Sequence, residues 1–154
     1  MIQRIQSVYL LLAGLVPAFT LTTPLARFWQ ESGYYLMTAL GFNPYGAPAY
    51  TGTPHVPYGV LAFGILLIVL PFANIFQYKN RRRQMRICNW TVAGIIAYYV
   101  SYICYVVIFA MHTNTNFQPG ICAFFPMLTL IFTLLARYSI KKDEELVRAA
   151  DRIR

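Results

Sequence analysis

Acidic side chains are almost missing from this chain. Its 154 residues hold five Asp and Glu against thirteen Lys and Arg. Four of the five (Asp143, Glu144, Glu145 and Asp151) stand near the C-terminus, and the fifth is Glu31. A pair of catalytic carboxylates has little to draw on. No acid or base lies inside an apolar run, where proton-coupled carriers and pumps place theirs. Cysteine is scarce too. Cys88, Cys104 and Cys122 form no CxxC pair and fall at different depths of the spans described below, so no disulfide framework is implied. There is no glycine-rich phosphate loop and no nucleophile motif. No catalytic residue and no cofactor is expected. Charge of either sign makes up 12% of the chain, half of the roughly 25% usual in soluble domains.

What remains is apolar. The chain is 58% hydrophobic with a mean hydropathy of +0.49, which places it in a membrane. Four runs are long enough to cross a bilayer, at about residues 5–23, 57–77, 87–111 and 121–138. Between the second and third lies the densest charge, Lys79, Arg81, Arg82, Arg83 and Arg86. Each cation at a helix centre costs roughly 2.5–3.5 kcal/mol in hydrocarbon. This stretch is therefore expected to be a turn in water, and by the positive-inside rule that water is the cytoplasm. Every Lys and Arg except Arg27 falls at the chain start, in this turn, or from Arg137 onward. The expected architecture is an all-α membrane protein of four helices with both termini cytoplasmic. A soluble basic domain is missing, so no DNA partner is expected. The first run opens after Arg4 but meets no A-x-A cleavage site, and is read as a retained span. Pro17, Pro71 and Pro126 are expected to kink or open helices.

Residues 24–56 form the long outer loop. Its prolines and glycines forbid a long helix, and its only charges are Arg27 and Glu31. Phe28-Trp29-Gln30 and Tyr34–Thr38 flank Glu31-Ser32-Gly33, a short hairpin in outline. In the third span Tyr98, Tyr102, Tyr105 and Phe109 recur at helical spacing and are expected to face the bundle. Residues 112–120 make a polar outer turn. From Ser139 onward a cytoplasmic amphipathic helix is expected, with Lys141–Glu145, Glu144–Arg148 and Arg148–Asp151 at pairing distance. The turn and this tail are expected within side-chain reach of each other.

Three segments together resemble one family: the opening Met1–Leu10, the turn Lys79-Asn80-Arg81 with Gln84-Met85-Arg86, and the tail Lys141–Arg148 with Ala150–Arg154. The chain resembles an uncharacterised family of short four-span inner-membrane proteins of Bacteroidota-type bacteria, a domain of unknown function. The resemblance implies a compartment and a fold but no activity, substrate or site residue.

Three functions compete. The first is a non-enzymatic accessory subunit of a larger inner-membrane complex, with protein translocation or insertion machinery as one host. Other membrane proteins, anionic lipids or a ribosome would then meet Lys79, Arg81, Arg82, Arg83, Arg86, Lys141, Lys142, Arg148 and Arg152. The second is an oligomeric small-solute transporter or channel. The third is a redox protein holding haem, quinone or a metal at the tyrosine face or at His55 and His112. That histidine pair has no third ligand nearby in sequence, and a solvated loop histidine is the plainer reading.

Overall fold

In the apolar runs each backbone donor and acceptor must be satisfied within the segment itself, and helix does that. The computed structural model describes residues 2–47, 56–78 and 80–152, with backbone alone for 2–4 and 148–152. Four helices result: α1 (Ile2–Thr22), α2 (Tyr58–Phe76), α3 (Arg81–Thr113) and α4 (Phe125–Arg152). All four are long and apolar enough to span a membrane. They pack as a ring in which each touches the next and α4 closes on α1. Small residues set the spacing. A Cβ on Gly14 would meet the Phe72 ring at 2.9 Å, and one on Gly64 would meet Leu21 at 3.1 Å. The outward faces stay apolar, with Ile96, Val100, Ile103 and Val107 of α3 all exposed. In water such a surface would aggregate; against lipid it is at rest.

The chain is not all-α. A four-stranded antiparallel sheet in the order β3-β2-β1-β4 caps one end of the ring. Its strands are β1 (Ala26–Gln30), β2 (Gly33–Thr38), β3 (Gly41–Tyr45) and β4 (Asn116–Pro119). The hairpin expected around Glu31-Ser32 is its centre, with Gln30 opposite Gly33. The fourth strand comes from the segment expected to be a polar turn. Asn114, in the left-handed conformation (φ 48°), ends α3 and sends the chain back alongside β1. The physical reason for the correction is pairing: once β1 is held against the bundle its free edge needs partners, and residues 116–119 supply them.

Two glycines let the sheet close. A Cβ on Gly33 would sit 2.5 Å from backbone atoms of Tyr45, Gly46 and Ala47. One on Gly120 would sit 2.6 Å from the Pro24 carbonyl, in the place where Gly120 N–H donates to the Leu25 carbonyl (2.9 Å).

Alternation decides what each face does. Ala26, Phe28, Tyr35 and Met37 are buried on the inner face. They land on Phe109, the last buried aromatic of α3. Phe42 stacks on Phe109 with centroids 4.1 Å apart, and Phe28 and Tyr35 approach it at 4.7 and 5.4 Å.

At the opposite end two further differences appear. The basic stretch is not a loop: Arg81–Arg86 are the opening turns of α3, and Asn80 caps them by accepting from Arg83 N–H (3.3 Å). No break separates the fourth span from the tail, since α4 is continuous. Elsewhere, Pro17 and Pro71 lie inside α1 and α2, and Pro126, next to the sheet, occupies the first turn of α4, where its missing N–H costs nothing.

Candidate functional site

The basic end is assembled from the starts of α1 and α3 and the ends of α2 and α4. Arg81 reaches from α3 to α4. Its Nη2 lies 2.8 Å from Asp143 Oδ2, and its Nη1 donates to the Asp143 backbone carbonyl at 3.0 Å. One guanidinium thus holds both the side chain and the backbone of its partner. Arg82, Arg83 and Arg86 are exposed beside this clamp, as are Lys141 and Lys142. Lys141 and Glu145 approach only to 3.9 Å with both side chains about two-thirds exposed, a weak pair. Lys79 lies outside the described residues, as do the side chains of Arg148 and Arg152.

Beneath the clamp sits an amide cluster. Asn74 donates from Nδ2 to the Gln84 carbonyl (3.3 Å) and to Cys88 Sγ (3.2 Å), and Gln84 Nε2 donates back to the Asn74 carbonyl (3.3 Å). Both amides are buried. Gln6 of α1 donates to the Ser139 carbonyl of α4 (3.1 Å). Gln6 and Asn74 lie inside apolar runs, where an amide is a visible signal in the sequence because its buried groups require partners.

Of the tyrosine face, Tyr98, Tyr102 and Phe109 are buried and Tyr105 is half-buried. Their hydroxyls mostly serve structure. Tyr102 donates to the Leu25 carbonyl (3.0 Å), and Tyr105 accepts from Gly59 N–H (3.4 Å). Neighbouring Tyr99 donates to the Ala123 carbonyl (3.1 Å). The Tyr98 hydroxyl is buried near the Thr20 side chain, with no hydrogen bond of good geometry among the described residues. His112 is exposed in the last turn of α3, and His55 lies outside the described residues. Among the described residues no three His, Cys, Asp or Glu gather as a metal site.

The sheet end presents a different chemistry. On the outer face Trp29 packs against Tyr34 (5.1 Å), and Tyr34 stacks on Tyr45 (5.3 Å, 8° between planes). Trp29 Nε1 donates to Gln118 Oε1 across the β1–β4 seam (3.0 Å). Two cavities flank that seam. One, of about 610 Å³, holds Glu31 with Ser32, Thr113, Asn114 and Asn116. The other, of about 340 Å³, holds Arg27 with Gln118 and Cys122. The outer loop's two charges thus line separate cavities.

A four-helix ring of membrane-spanning length, capped by an antiparallel sheet and clamped at its basic end, defines the class: a small multi-span membrane protein. Within that class the chain belongs to the family of the domain of unknown function DUF4293, whose model matches residues 2–153. A comparison with curated proteins found no match.

Proposed function

We propose that the chain is a non-enzymatic accessory subunit of a larger inner-membrane complex, with both termini in the cytoplasm and the sheet on the far side. The observation that carries this reading is the Arg81–Asp143 clamp. It fixes the basic start of α3 against the extension of α4, so the exposed cations Arg82, Arg83 and Arg86 belong to a rigid surface. These cations do not serve their own helix. Four arginines in the first turns of α3 face the positive end of its dipole, which disfavours them by a few tenths of a kcal/mol each. A rigid cationic surface at a membrane face fits an anionic partner: an acidic protein surface, ribosomal RNA of a translocation or insertion apparatus, or anionic headgroups.

The test is co-purification of the full chain in mild detergent, wild type against Arg82→Gln/Arg83→Gln. Lys79, Arg81 and Arg86 remain to hold topology. The expected result is loss of stoichiometric partners at unchanged protein level and unchanged thiol-labelling topology. Partners retained in full by the double variant would overturn the reading.

A further inference from the structure

The 340 Å³ cavity beside the β1–β4 seam combines two donor side chains, Arg27 and Gln118, with a largely apolar lining. Pro24, Arg27, Gln118, Pro119, Gly120, Ile121 and Cys122 line it. Arg27 is exposed and, among the described residues, has neither an ion-pair nor a hydrogen-bond partner. Its strand neighbour on the same face is Gln118, directly opposite in the β1–β4 register. The orientation of that amide is settled by chemistry. An indole N–H can only donate, so the Gln118 atom 3.0 Å from Trp29 Nε1 is the carbonyl oxygen, which leaves the two N–H donors of the amide for another partner. The cavity therefore offers a guanidinium with five donors and an amide with two, and no carboxylate lines it. That set selects an oxyanion, and the planar guanidinium fork pairs with two oxygens of a phosphate group.

Position narrows the source of the phosphate. Ile121 opens the segment of membrane-spanning length that continues into α4, and its side chain is 82% exposed. Phe124, three residues on, is exposed as well. A ligand held at Arg27 thus has apolar side chains of the span's first turn next to it, while Pro24 and Pro119 line the same cavity. A free phosphate uses only the donors. A phosphate carrying a glycerol and acyl chains uses both.

We propose that this cavity is a headgroup site for a phospholipid of the leaflet on the sheet side, with Arg27 and Gln118 gripping the phosphodiester and the acyl chains descending along Ile121 and Phe124. Free inorganic phosphate shares the donor chemistry, and the two sources separate by experiment. Trp29 reports on the site because its indole is bonded to Gln118. The full chain carrying Trp90→Phe, in a neutral detergent, leaves Trp29 as the only tryptophan. Its emission is titrated with dihexanoyl phosphatidylglycerol, with dihexanoylglycerol and with inorganic phosphate. The expected result is a saturable change with the phospholipid and none with the other two at the same concentrations.

Two variants probe the grip. Arg27→Gln should weaken the phospholipid at least tenfold. Gln118→Glu keeps an acceptor for the Trp29 N–H but replaces the donors by a negative charge, and should also weaken it at least tenfold. The second substitution preserves the seam and stands in should Arg27→Gln fail to fold. An equal response to dihexanoylglycerol, or unchanged affinity in a folded variant, would overturn the site. A response to inorganic phosphate equal to that of the lipid would overturn the headgroup assignment.

Discussion

Arg81 and Asp143 are a quarter or less exposed, with side-chain exposures of 25% and 15%. A pair in that setting, with a second bond to backbone, should stabilise by about 1 kcal/mol, at the upper end for ion pairs that water reaches. A double-mutant cycle of Arg81→Ala and Asp143→Ala, read by thermal unfolding in detergent, should give a coupling of that size that shrinks as salt is added. No coupling at low salt would show that the clamp holds nothing. Gly120 supplies a second residue-scale prediction. Gly120→Ala pushes a methyl group into the Pro24 and Leu25 carbonyls and should cost about 1–3 kcal/mol. It should also shift the emission of Trp29, whose partner Gln118 is two residues away. A variant as stable as wild type, with unshifted emission, would refute the close approach.

At the scale of elements, the sheet depends on one ring. Phe109 receives Phe28, Tyr35 and Phe42, and it is the outermost buried residue of α3. Phe109→Ala should cost about 3–5 kcal/mol if the site cannot collapse. The loss should be local, because a two-stranded hairpin alone is marginal in water. Hydrogen exchange should then accelerate throughout β1 and β2 while amides in the middle of α2 and α4 stay protected. Uniform acceleration across helices and strands would mean that cap and bundle unfold as one unit.

The same element shows why the helices and the central hairpin were legible in the sequence and the rest of the sheet was not. A membrane helix announces itself in a contiguous run, and four such runs stand in the sequence. In β1 and β2 both faces carry aromatics, Phe28 inward beside Trp29 outward and Tyr35 inward beside Tyr34 outward, so the period of two was blurred. β4 carries no local signal at all: Asn116, Phe117, Gln118 and Pro119 are all exposed, and only pairing with β1 makes them a strand. The two cavities follow from that pairing, so Arg27 and Gln118 could not be joined from sequence. At the other end the charge of the four arginines points to a turn, whereas their helix propensity and Asn80, an ordinary cap, point to the helix that forms.

For the whole molecule, the proposed placement of termini and sheet on opposite sides of a membrane rests on the charge distribution, and it makes a prediction. Ser32 is exposed at the tip of the first hairpin. With the native cysteines replaced by alanine or serine, Ser32→Cys should react with a membrane-impermeant maleimide in cells whose outer envelope alone is permeable. A cysteine at Lys142, exposed at the other end, should react only after lysis. The opposite pattern would invert the molecule.

β1 and β4 are neighbours in space, with Ala26 opposite Pro119, yet α2 and α3 lie between them along the chain. During synthesis the first three strands leave the ribosome long before the fourth. In the proposed orientation they cross the membrane as an open sheet edge, with Phe28 uncovered until α3 brings Phe109 and β4 to it. The cap therefore stays incomplete until β4 has been made, with only α4 still to follow. A nascent chain halted within α3 carries an unpaired strand and an exposed aromatic face, the form of this protein most open to capture by quality-control proteases.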